Sequence, residues 1–255
     1  MSSAHHKATI IALSVLAAAT ASLLHEGLGH GVVAWLRGDM VTELTSNHLN
    51  AVRDDRLVDA GGTTVNFIAG ALCLLTARIA GSRANLRYFL WILAALNLLQ
   101  GAGYFLFSGA LGLGDWAQVI AGLPHQAALR TVMAATGAML YVVFLRLLVV
   151  DLRPFAPDRA DYNTVGRLPY YSACLFMCAA GALDPMGIKL FFLSTVPAFF
   201  GGLSGLLWGD VFLPRTPPAP TLLVHRSLPL VVTALILGLA FIARLGGGIE
   251  WVYPH

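Results

Sequence analysis

Charge is what this 255-residue chain lacks most. Asp, Glu, Lys and Arg make up 11% of it, against about 25% in a soluble globular chain. That excludes a soluble enzyme with a solvated surface, a disordered chain, and a nucleic-acid partner, which needs clustered Lys and Arg. Cysteine is scarce too. Cys73, Cys174 and Cys178 all lie in apolar runs with no Cys-x-x-Cys pair, so they read as small core residues rather than a disulfide framework or a thiolate metal site. Apolar residues, in contrast, make up 57% of the chain, and its mean hydropathy is +0.73. This is the composition of an all-α polytopic membrane protein whose outer solvent is the lipid bilayer.

The apolar runs predict six or seven transmembrane helices. The first covers 8–36 and is too long for a signal-peptide core. A polar loop, 37–59, has room for a short hairpin. Further spans cover 60–77, 88–108 and 129–150, with a glycine-rich break at 109–126. The run 168–208 is long enough for two passes, punctuated by Asp184-Pro185 and Pro197. Four prolines in 214–220 predict a stiff loop, and a last span covers 228–245. The whole chain reads as one membrane domain: a core over 8–150 with additional C-terminal helices over 168–245. Arg78, Arg83 and Arg87 surround one loop, and Arg146, Arg153, Arg159 and Arg167 cluster two passes later. The glycine-rich break has no Lys or Arg. The positive-inside rule then places the N-terminus in the cytoplasm.

Ionisable groups inside a span are costly and point to function. The sharpest set is His25-Glu26-Gly27-Leu28-Gly29-His30, inside the first span. Two imidazoles and a carboxylate can hold a divalent ion, most often Zn2+, and a carboxylate beside the first His can act as general base. Paired histidines on a regular helix share a face at i, i+4. Here they are five apart, which separates them by about 140°. Two arrangements repair this. A π-bulge, eased by Gly27 and Gly29, returns both rings to one side. Alternatively Glu26 and His30, at i, i+4, form the metal pair. A catalytic zinc also needs a third protein ligand. Asp115, in Gly112-Leu113-Gly114-Asp115-Trp116, and Asp184, in Ala182-Leu183-Asp184-Pro185, are both available, and each can instead cap a helix.

The His25–His30 motif, followed by Gly31-Val-Val-Ala-Trp-Leu-Arg-Gly38, resembles the active-site helix of the site-2 protease family, the intramembrane zinc metalloproteases. In that family a small-residue motif ending in Asn follows on the next core helix, and Ala60-Gly61-Gly62-Thr63-Thr64-Val65-Asn66 stands in that place. The resemblance covers roughly residues 14–121. It implies a zinc-dependent endopeptidase cleaving a membrane-protein segment, with His25, His30 and Asp115 as ligands. Glu26 would be the general base, and Asn66 a hydrogen-bond donor to substrate or oxyanion. The spacing of Asp115 from His25 resembles the family's, and Asp184 lies too far along the chain. The rival class is a non-catalytic membrane protein — a transporter, scaffold or pseudoprotease — with the His/Glu/His set as a proton or metal relay.

The remaining polar residues carry smaller expectations. Asn97, Gln100, Tyr104 and Ser108 recur at helical spacing and suit interhelical packing or a route to the metal. Lys189 is expected to pair with Asp184. His125 is a weaker ligand candidate. His5 and His6, near the terminus, and His48, in a loop, are expected on the solvated surface.

Overall fold

The computed structural model describes residues 4–53, 55–213 and 221–252. The four-proline stretch 214–220 lies outside them. Among the described residues, six helices are long and apolar enough to cross a membrane: α1 (Lys7–Leu36), α2 (Arg56–Ile79), α3 (Ala84–Leu111), α5 (Gln126–Leu152), α8 (Ile188–Phe212) and α9 (Leu228–Gly246). The chain is an all-α, multi-pass integral membrane protein. Three shorter helices join them: α4 (Asp115–Val119), α6 (Arg159–Val165) and α7 (Arg167–Gly181). Helix α7, with 15 residues, spans about 22 Å. It is short for a bilayer core of about 30 Å, yet it runs between the same two ends as the long helices.

Those ends are fixed by polar ties. At one end His5 meets the Phe155 carbonyl, Arg78 pairs with Asp151, Asn85 exchanges hydrogen bonds with the backbone of His225, and Arg159 pairs with Asp210. At the other, the loop after α1 forms β1 (Val41–Leu44) and β2 (Leu49–Ala51), and β3 (Ile249–Glu250) adds to β1. The sheet order is β2-β1-β3, antiparallel throughout. The Ser46 N–H donates to the Leu245 carbonyl there, and Asn47 reaches Asp184. Counting α7, the described residues therefore pass between the two ends seven times.

Helix α3 is the most buried of the six long spans. Its core is knitted by Trp91, whose Nε1–H donates to the Leu148 carbonyl (2.8 Å), and by Tyr88, whose hydroxyl donates to the Val165 carbonyl (2.6 Å). Large apolar side chains remain exposed on the outer faces, among them Leu72, Leu75, Val132, Met139, Leu235 and Ile236. On a water-soluble protein such a surface would be an interaction patch. Here it is the surface that lipid covers.

Two helix starts follow from sequence. Asp55 caps α2 by accepting from the Leu57 N–H, and His6 caps α1 by accepting from the Thr9 N–H. Three expectations need correction. His5 is buried, not solvated, because both ring nitrogens have backbone partners on distant segments. His48 is also partly buried, with Nδ1 3.2 Å from Asp184 and Nε2 3.2 Å from Glu43. That environment removes the expected Lys189–Asp184 pair. Lys189 is exposed, and the Asp184 carboxylate is taken up by Asn47, His48 and the Met186 N–H.

Candidate metal centre

The site begins with a change of helical pitch. Within α1, Leu23–Gly31 is π-helical, flanked by α-helix on both sides. Hydrogen bonding from i to i+5 brings residues five apart above one another. His25 and His30 therefore share a side, with ring centroids 4.9 Å apart and nearly perpendicular planes. Both rings and Glu26 are buried.

Glycine then lets α2 approach. A Cβ on Gly62 would lie 2.5 Å from His30 Nε2 and 2.6 Å from His25 Nε2. One on Gly29 would lie 2.5 Å from the Gly62 Cα. The two backbones meet where the imidazoles project: a larger residue at Gly29 would push α2 away, and one at Gly62 would displace the imidazoles. The His30 Nδ1–H donates to the Val58 carbonyl on α2 (2.7 Å), which leaves Nε2 with its lone pair facing the site.

The third group comes from the turn after α3. Gly112 ends that helix in the left-handed conformation (φ 69°), and Gly114 also has positive φ (81°). These bends are cheap only for glycine. They start α4 at Asp115 with its side chain aimed at the imidazoles. Trp116 packs on Phe105 of α3 (ring centroids 4.3 Å), and Arg56 of α2 holds the Ala121 carbonyl, so the segment is clamped from both sides.

Asp115 Oδ2 lies 3.3 Å from His25 Nε2 and 3.6 Å from His30 Nε2, and the two nitrogens are 3.3 Å apart. A tetrahedral ion with bonds of about 2.0–2.2 Å has ligand–ligand edges of about 3.3–3.6 Å. The triangle has the size of one face of a zinc tetrahedron. Asp115 Oδ2 is buried without a hydrogen-bond partner, as befits a group facing a cation site. The donor set, two imidazoles and a carboxylate, is one that zinc favours. Glu26 stands one step back, with Oε2 3.9 Å from His30 Nε2. Its carboxylate belongs to the same cluster of potential ligands as His25 and His30. Asp115 Oδ2 lies nearer to His30 Nε2 (3.6 Å) than Glu26 Oε2 does (3.9 Å).

Asn66 lies one helical turn beyond Gly62 on α2. It is buried, and neither its carboxamide nitrogen nor its oxygen has a partner. Tyr104 stacks on His25 (centroids 5.0 Å, planes 14° apart). Gln100 and Tyr104 line a cavity of about 20 Å³ with Ser22, His25 and Glu26 and with Thr195 and Phe199 of α8. Asn97 instead donates to the Leu93 carbonyl of its own helix. Asp184 and His125 are not brought to the cluster: Asp184 anchors the β1–β2 turn, and His125 is exposed. Sequence reasoning missed Ser22, Thr195 and Phe199. Nothing local marks the two α8 residues, because their role depends on that helix folding back over α1.

No protein-family model matches the chain, and neither a curated protein nor a solved structure does.

Proposed function

We propose that this protein is an intramembrane zinc-dependent endopeptidase, of the kind its first two helices resemble, cleaving transmembrane or membrane-proximal segments. One observation carries the reading: the tetrahedral-face spacing of His25, His30 and Asp115, with an acid beside it that is not needed as a ligand. Zinc, when bound, would polarise the scissile carbonyl and make a water acidic near neutral pH. His30 is aimed by the Val58 carbonyl, and His25 is braced by the Tyr104 ring. Glu26 takes a proton from the attacking water. Water oxygen bonds to the carbonyl carbon, the C–N bond breaks, and Glu26 returns the proton to the leaving amine. The unpartnered Asn66 carboxamide is available to hydrogen-bond the oxyanion.

The cavity beside Glu26 has room for about one water, not for a peptide. Substrate entry therefore requires the elements that line it, α8 among them, to part, and the substrate helix must unwind to expose its scissile bond. The cluster's position also favours hydrolysis over a relay. A transmembrane relay needs groups strung across the bilayer, whereas these four side chains meet at one end. The arginine-rich connectors favour a cytoplasmic N-terminus.

Metal analysis of the purified chain tests the reading. Near-stoichiometric zinc is expected in the wild type, and its loss in His30→Ala and Asp115→Asn. Equal zinc in all three removes the ligand set. Glu26→Gln should keep the metal and lower peptide-bond hydrolysis by at least about 100-fold. Cleavage that survives this change would mean that Glu26 is not the base.

A further inference from the structure

The side of the membrane from which the cluster is reached follows from where the cations sit. The ties described above sort every connector to one end or the other. At the end away from the cluster, 80–83 contains Arg83 with Arg78 and Arg87 beside it, 153–166 contains Arg153 and Arg159 with Arg167 next, and 213–227 contains Arg226. Each of these connectors carries at least one arginine. At the cluster end, the connectors 112–125 and 182–187 contain no Lys or Arg. Counted the same way, with flanking residues, 37–55 brings Arg37, Arg53 and Arg56, and 182–187 has Lys189 beside it, four cations against seven at the other end. Short connectors rich in Lys and Arg stay in the cytoplasm.

The depth of the cluster is set by the same helix. His30 lies six residues before Leu36, about 9 Å from that end of α1, whereas His25 lies about 27 Å from Lys7. Asp115 comes from one of the two connectors without Lys or Arg. The metal groups therefore sit near the end of the molecule opposite the arginine-rich connectors.

We infer that the cluster opens to the non-cytoplasmic side of the membrane, and that the substrates are membrane proteins whose scissile bond lies in the outer half of the bilayer or just beyond it. The second half of this statement rests on the proposed peptidase activity; the first does not. A substrate whose cleavage site lies at the cytoplasmic boundary would have to reach across most of the bilayer to meet Glu26.

Labelling intact cells with a membrane-impermeant maleimide tests the inference. Val52→Cys places an exposed thiol in the connector at the cluster end, and Ser82→Cys one at the arginine-rich end. The wild-type chain, whose three cysteines lie in or beside its helices, supplies the background. Val52→Cys should label several-fold above wild type in intact cells. Ser82→Cys should stay at background until the cells are permeabilised, when its labelling confirms that folded protein is present. The reverse pattern overturns the inference, as does equal labelling of both in intact cells. No cleavage enters the readout, so a chain with this orientation but no hydrolytic activity gives the same labels. Failure of the zinc measurement and failure of the orientation are thus separate results.

Discussion

The surroundings of His5 require a neutral ring. Its Nε2–H donates to the Phe155 carbonyl (2.8 Å), while Nδ1 accepts from the Val224 N–H (3.2 Å). A proton on Nδ1 would oppose that N–H. Burial accordingly lowers the His5 pKa, against smaller opposing effects from the Phe155 carbonyl and Asp161. A histidine whose folded pKa lies below its unfolded value stabilises fully above the unfolded value, about 6.5. That stability is lost as pH falls toward and through the folded value. Thermal unfolding in detergent should therefore show the wild type losing about 1 kcal/mol more than His5→Phe between pH 8 and pH 5, roughly 2–4 °C. Parallel pH profiles would remove His5 as the cause. This histidine was not legible in the sequence, because its partners lie about 150 and 220 residues away. His48 was hidden in the same way by Asp184. His25, Glu26 and His30 stood out because a charged motif inside an apolar helix is costly in its immediate setting, whatever the tertiary fold.

At the scale of the element, the π-helical turn and the glycine contact depend on each other. The turn carries His25 and His30 to one side of α1, and Gly62 leaves the space into which they project. The five-residue spacing and the two intervening glycines made such a distortion readable. Its nine-residue extent was not, because it depends on α2 packing against it. The same packing explains why Gly62 has no side chain. Gly62→Ala should displace both imidazoles and lower zinc affinity by at least about 10-fold, the scale of perturbing a ligand's supporting contacts. Gly27→Ala, with nothing within 4 Å of the added Cβ, should bind zinc as the wild type does. Competition with a chromogenic chelator measures both. Equal affinities would show that the close approach of α2 does not shape the cluster. Helix ends were less legible than helix centres: each of α2, α3 and α5 runs two to four residues past its hydrophobic run at one or both ends, as caps and ion pairs carry helix into the polar boundary.

For the whole molecule, the order of the helices was legible from hydropathy, but the closure of the last helices around the first was not. Two polar ties make that closure. At the arginine-rich end His5 joins the start of α1 to the segments after α5 and before α9. At the cluster end Asn47 joins the β1–β2 turn to the α7–α8 connector and to α8, donating to Asp184 (2.9 Å) and accepting from the Thr195 hydroxyl (2.9 Å). The side chain of Asp184 is fully buried, so removing its Asn47 partner leaves a buried carboxylate one hydrogen bond short, with only His48 and the Met186 N–H beside it. Asn47→Ala should cost about 1–3 kcal/mol. The loss should also be directional. Thr195, which lines the cavity beside Glu26, loses its Asn47 partner, so the first part of α8 is the segment set loose. Hydrogen–deuterium exchange should accelerate over 188–201 in Asn47→Ala while 153–167, held by the other tie, exchanges as in the wild type. Equal acceleration at both ends would mean that the molecule opens as one unit. Confinement to 188–201 would make α8 a separately stabilised wall of the cavity beside Glu26, which a peptidase with so small a cavity needs in order to admit a chain.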